Sequence, residues 1–228
     1  MKKVFIIPAR SGSKGIPDKN LKKINGIQMF VWSIIHAKYI STDEDIICVS
    51  SDSEEYLKLA REWGAETRLR PSELATDTAP TEPVMEDVIN QYDLDENDNI
   101  ILLQPTTPLR SKSSLNQLKK LIDEGENSVL SVKEVYEFEW CLSDNGNFQP
   151  TYKERKRRQD MNPRYHENGS IYFTKLRIFN DLKNRVNHES KLIVMNEIES
   201  IDVDSIDQLN LVNFLSLKFN EQWQEEVS

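Results

Sequence analysis

The sequence predicts an α/β domain, with a mostly parallel sheet flanked by helices. Three observations carry that prediction. Short β-branched apolar runs alternate with longer stretches in which apolar residues return every three or four positions. No internal repeat or low-complexity tract breaks the alternation. The 228 residues, set against roughly 150 per domain, fit one large domain with an appended element, long enough to bury a core without disulfides or metals.

Taken in order, residues 4–8 form the first expected strand, an apolar run closed by Pro8. A helix is expected over 28–39 and a strand over 45–50. Ser53 is placed to cap a helix over 53–63, before a strand at 66–70. A helix over 81–92, a strand over 99–104 and a helix over 113–124 capped by Ser113 continue the pattern. Strands at 128–133, 170–174 and 192–195 follow, as β-branched or apolar runs. A last helix starting near Ser205 carries Ile206, Leu209, Val212 and Leu215 on one face, and the tail EQWQEEVS is expected to fray. Trp32 and Trp63 read as core. The whole of 1–228 is read as one domain, from which 136–166 stands out. That stretch has an Asp-Asn-Gly turn signal, a dense basic run and no helical period, so it reads as an inserted hairpin arm of a kind that packs on a second subunit.

Composition excludes several functions. The formal net charge of −9 argues against a general grip on nucleic acid. No run approaches the ~20 apolar residues of a membrane span. Two cysteines, Cys48 and Cys141, are too few for a disulfide framework and lead us to expect a reducing, cytoplasmic setting, as does the lack of a secretory leader pattern.

Four segments carry chemistry. IPARSGSKGIPDKN (7–20) follows the first strand, where open α/β sheets bind ligands. Gly12 and Gly15 allow close backbone approach, Ser11 and Ser13 supply hydroxyls, and Arg10, Lys14 and Lys19 supply charge for a polyphosphate. The spacing is neither a Walker A loop nor GxGxxG. RPSELATDTAPT (70–81) offers Arg70 to phosphate and Thr78, Ala79 and Thr81 to a base, or simply a turn and a helix cap. LLQPTTPLR (102–110) is a rigid loop with Gln104 at a strand end, equally readable as a structural turn. In IESIDVDS (198–205), Asp202 and Asp204 would share one face of an extended run and suit Mg²⁺ held jointly with phosphates; alternatively, Asp204 caps the last helix. The basic run from Lys153 to Arg158 reads as a nucleic-acid patch, a solvated face or a set of anion ligands. Of the histidines, only His166 lies near these segments, whereas His36 and His188 read as a helix-face and a loop residue.

The ordered set of IPARSGSKGIPDKN, SSDSEEY, RPSELATDTA, LLQPTTPLR, Arg158-Gln159, NGSIYF and IDVD resembles the acylneuraminate cytidylyltransferases over nearly the whole chain. The resemblance implies a Rossmann-like domain, a dimerisation arm that reaches a partner's site in a homodimer, and transfer of CMP from CTP to a nonulosonic acid with Mg²⁺ and release of pyrophosphate. By matching position, Ala9, Arg10, Lys14, Asn20, Arg70, Ala79 and Thr81 bind the nucleotide. Gln104, Tyr172 and a partner-contributed Arg158 face the sugar acid, Lys19, Arg10 and Asp202 serve catalysis, and Asp202 and Asp204 hold the metal. Some members place a substrate lysine early in the arm, where this chain has Tyr136-Glu137-Phe138-Glu139-Trp140. The sugar therefore stays open among the sialic, legionaminic and pseudaminic types. Competing expectations are a cytidylyltransferase for the eight-carbon acid Kdo, a DxD glycosyltransferase and a non-catalytic nucleotide-binding module.

Overall fold

A computed structural model describes residues 1–227; Ser228, the last residue of the expected fraying tail, lies outside the described residues. In chain order the strands and helices are β1 (Lys3–Pro8), β2 (Lys23–Ile24), β3 (Ile27–Gln28), α1 (Met29–Ile40), β4 (Ile46–Ser51), α2 (Glu54–Glu62), β5 (Glu66–Leu69), α3 (Thr81–Ile89) and β6 (Asn99–Leu103). They continue with α4 (Lys112–Asp123), β7 (Ser128–Val135), β8 (Trp140–Leu142), β9 (Phe148–Pro150), β10 (Arg164–Lys175), α5 (Leu176–Leu182), β11 (Lys191–Met195) and α6 (Ile206–Phe219). The seven-stranded sheet has the order β11-β7-β10-β6-β1-β4-β5. Every neighbouring pair is parallel except the two made by β10, which runs against both β6 and β7. The fold is Rossmann-like, and its order reverses at β1, with β4 and β5 to one side and β6 to the other.

Strand alternation sorts the core into two layers. Phe5 and Ile7 face α1, α2, α4 and α6, whereas Val4 and Ile6 face α3 and α5. A strand covered on both faces needs the continuous apolar run that β1 has. Helix α1 is buried nearly all round, through Met29–Ala37, because it lies between the sheet and Trp223. Trp32 is buried and Trp63 partly so, as expected. No described helix is long and apolar enough to cross a membrane, and Cys48 and Cys141 are both free.

Several local expectations are corrected. Helix α4 is capped by Ser111, whose side chain accepts from the Ser114 amide, so Ser113 lies inside the helix. Ser53 takes the N-cap position of α2 but its side chain makes no cap bond. Helix α6 is capped by Ser205, in a reciprocal box with Gln208, rather than by Asp204. The tail does not simply fray: a short 3-10 turn buries Trp223, whose indole donates to the Arg110 carbonyl at 3.1 Å. Two features had no counterpart in the sequence reading, helix α5 and the β2–β3 hairpin. The latter turns on Asn25 and Gly26, both at positive φ.

Within the stretch expected to form the arm, β8 and β9 pair antiparallel around residues 143–147. Its boundary shifts, because residues 164–166 belong to β10 and pair with β7. Trp140, Leu142 and Phe148 of the arm are exposed.

Candidate nucleotide-binding cleft

The carboxyl ends of β1, β5 and β6 open onto a cleft of about 260 Å³. Arg10, Lys19, Asn20, Arg70, Ala79, Thr81 and Gln104, drawn from three separate segments, all line it. The phosphate loop leaves β1 and closes on a 3-10 turn at Lys19–Leu21, entered through Asp18 in the left-handed region. Asn20 is buried and its Nδ2 donates to the Arg10 carbonyl at 3.0 Å, stapling the two ends of the loop. Asp52, at the end of β4, accepts both the amide and the hydroxyl of Ser11, each at 2.8 Å. Ala9 is buried beneath the loop, its amide donating to Ser50.

Arg70 is held rigidly. Its Nε donates to Ser50 Oγ at 3.1 Å and its Nη2 to the Ser50 carbonyl at 2.8 Å. Burial lowers its pKa to about 10 against the opposing pull of Asp52, so it still carries its charge at neutral pH. Arg10 and Lys14 both pair with Asp77, a residue the sequence reading passed over. Lys14 is otherwise exposed at the rim.

The Asp202–Asp204 stretch is a loop rather than the strand expected. Val203 is fully buried, and its amide donates to the Thr106 carbonyl at 2.8 Å, which docks the segment on the proline-rich loop. Asp204 pairs with Lys19 at 2.8 Å. Gly15 packs so closely here that a Cβ would lie 2.6 Å from the Asp204 carbonyl oxygen. Asp202 has a buried Oδ1 with no hydrogen-bond partner, and burial, with the charge of Asp204 added, holds its carboxyl above the usual range. No group of three or more metal-ligating side chains occurs among the described residues. Two carboxylates with an unpartnered oxygen therefore fit a hard cation that takes its other ligands from phosphate and water.

Tyr172 and Arg158 stand apart, and Asp202 lines a neighbouring cavity rather than this cleft. Tyr172 is 3% exposed and packs in the layer with Leu102 and Met85, its phenol donating to Glu167 at 3.0 Å while Arg185 stacks on its ring. Arg158 does not reach its own chain's cleft. It stacks on Tyr136 and lines a neighbouring cavity of about 520 Å³ together with Asp202. His166, beside the site in sequence, pairs with Glu139 at the base of the arm.

Arg110 has no local sequence signal of its role. It is fully buried and donates to the carbonyls of Gln104 (2.6 Å) and Ser170 (2.9 Å), tying the end of β6 to β10 under the cleft. Its Nη1 lies 3.4 Å from His36 Nδ1, and burial lowers its pKa to about 9. Gly169, at φ +69°, sits in the β10 bulge with Gln104 Oε1 against it, leaving 3.2 Å where a Cβ would go.

A glycine- and lysine-rich loop at the switch point of a mostly parallel sheet, with Arg10, Lys19 and Arg70 gathered around it, is the arrangement of a nucleotide-binding α/β protein. The comparisons narrow that class. Residues 4–219 match the cytidylyltransferase family, and the chain belongs to it. It is 33% identical over 214 residues to an N-acylneuraminate cytidylyltransferase of Streptococcus agalactiae, covering 91% of this chain but 51% of that one. The chain thus spans about half the length of that relative. It is 33% identical to post-translational flagellin modification protein B of Campylobacter coli, with 95% of each chain covered. It is 31% identical to the CMP-N,N'-diacetyllegionaminic acid synthase of Legionella pneumophila, covering 90% of this chain and 92% of that one. Among solved structures, a CMP:2-keto-3-deoxy-manno-octonic acid synthetase complexed with CTP shares the fold, with a TM-score of 0.66 at 14% identity over 96% of this chain and 99% of that one.

Proposed function

We propose that this chain transfers CMP from CTP to the anomeric hydroxyl of a nonulosonic acid of sialic, legionaminic or pseudaminic type, releasing pyrophosphate. The observation that carries this reading is the convergence of Arg10, Lys19, Asn20 and Arg70 with Gln104 on one cleft, in a chain whose full-length relatives include a legionaminic acid synthase. The sugar hydroxyl attacks the α-phosphorus and gives up its proton to one of the two aspartates or to water; a new P–O bond forms, and the bond to the β-phosphate oxygen breaks. The barrier is largely electrostatic, because two anions must approach and a third must leave.

Each residue type meets part of that demand. Arg10, Lys14 and Lys19 bind the phosphate chain, with Lys19 and Arg10 taking up charge on the leaving pyrophosphate. Arg70, locked on Ser50, presents a charge that costs no reorganisation. Ala9 gives the phosphate loop a buried, rigid start, and Ala79 and Thr81 contact the cytosine. Gln104 faces the sugar acid. Asp202 and Asp204 would hold Mg²⁺, which supplies charge neutralisation and orientation of the phosphates. Two such chains form a homodimer in the cytoplasm, each lending Arg158 on its arm to the other's site. Own-chain use of Arg158 is the second reading, favoured by the cavity it shares with Asp202.

The test is pyrophosphate release from CTP and Mg²⁺ with sialic, legionaminic, pseudaminic and Kdo acids side by side. Release with one of the first three is expected. Release with Kdo alone moves the substrate to the eight-carbon acid, and no release with any of them overturns the reading.

A further inference from the structure

Asp77 is the one acidic side chain seen to bridge two cations of the phosphate loop among the described residues. Its Oδ1 accepts from Arg10 Nη1 at 2.7 Å and its Oδ2 pairs with Lys14 Nζ at 2.8 Å. The bridge crosses from the 70–81 loop to the phosphate loop, 67 positions away in the chain. Lys14 and then Arg10 hold its carboxyl below the usual range. A carboxylate spread over a guanidinium and an ammonium offers them the same two-oxygen geometry that a phosphoryl group offers.

Its setting differs from that of the other cations. Arg70 is buried and fixed on backbone and hydroxyl oxygens, so it has no internal anion to release. The Asp77 pairs are about a third exposed on the carboxylate side, and pairs of that kind exchange readily because solvent screens them. The two cations that must grip the β- and γ-phosphates are thus occupied by an exchangeable side chain tethered beside them.

We propose that Asp77 is an internal competitor for the polyphosphate. It yields Arg10 and Lys14 to incoming CTP and reclaims them after transfer, which speeds departure of pyrophosphate. The proposal rests on the reading of the cleft as a nucleotide site. It makes Asp77 a determinant of phosphate-chain affinity, set against binding rather than for it.

The test is titration calorimetry of the full chain and its Asp77→Asn variant with CTP and with inorganic pyrophosphate, both with Mg²⁺. Removing two exchangeable ion pairs should tighten both ligands by about fivefold to tenfold at low salt. The gap should close near ~0.5 M salt, where such pairs are screened. The inhibition constant of pyrophosphate as a product should fall by the same factor. Asp77→Ser removes the same charge and guards against a local rearrangement peculiar to Asn. Equal or weaker binding by both variants overturns the role of Asp77 while the nucleotide reading stands. A wild-type chain that binds neither CTP nor pyrophosphate removes the nucleotide reading and this proposal with it.

Discussion

Lys19 and Asp204 stand 185 positions apart in the chain and meet at 2.8 Å beside the cleft. The lysine side chain is 13% exposed and the carboxylate 69%. The cation is therefore packed in place, while its partner is free to turn. Such an asymmetry suits a group that must face charge appearing on substrate, with a counter-ion that can move to a metal.

Replacing Lys19 by Ala should lower kcat by on the order of a hundredfold to a thousandfold, the range seen when one preorganised electrostatic group is removed. Steady-state assays with a thermal melt as a folding control check it. A loss confined to KM for CTP would mean that Lys19 binds phosphate equally in ground and transition states.

Asp202→Asn should shift the Mg²⁺ titration of activity to much higher concentration. An unchanged Mg²⁺ titration in the variant contradicts the metal role.

Gly15→Ala and Gly12→Ala form a matched pair. A Cβ at position 15 would collide with the Asp204 carbonyl, whereas at position 12 nothing lies within 4 Å. The first should cost about 1–3 kcal/mol of stability through overpacking and should impair activity by displacing Asp204. The second should leave stability near wild type. Denaturant midpoints and initial rates measured together decide it.

Burial, and then the charge of Arg110, hold the pKa of His36 well below its ordinary value. The unfolded chain therefore binds that proton more tightly than the folded one. The His36 contribution is fully present above about pH 6.5 and is lost as pH falls below it, towards the depressed folded value. Urea midpoints from pH 8 to pH 5 should show the loss, and His36→Gln should flatten it. An equally steep fall in the variant would assign the effect elsewhere.

Sedimentation at micromolar concentration should give about twice the 26.5 kDa chain mass, and subunit mixing tests who owns Arg158. Lys19→Ala and Arg158→Ala chains should each be poorly active alone. If Arg158 serves the partner, a one-to-one mixture that exchanges subunits should regain about a quarter of wild-type activity, because half of the dimers carry one intact site. No recovery assigns Arg158 to its own chain.

The parts of this fold legible in the sequence are those with local causes. β1, β4 and β6 are buried on both faces and so are written as unbroken apolar runs. The phosphate loop shows through its glycines and lysines. Helix α5 escaped because seven residues burying only Leu176 and Phe179 make no period. The β2–β3 hairpin escaped although Asn25-Gly26 is a strong turn signal, since strands of two residues show no alternation. Within the site, Asp52 and Asp77 look like any other of the 38 acidic residues; their partners lie 41 and 67 positions away. Arg110 reads as the polar end of a proline-rich loop, yet it is fully buried. Tyr172 illustrates register: it pairs across from Leu102 and so shares that residue's buried face.

The arm is inserted between β7 and β10, which pair with each other from Val135 opposite Arg164 inward. For the sheet, everything from 136 to 163 is the loop of one antiparallel pair, and loop closure costs rise only slowly with length. The arm can therefore lengthen, shorten or be exchanged between relatives without disturbing a single core register. In engineering terms it is a graft point, where sequence can be exchanged while β7 and β10 stay paired.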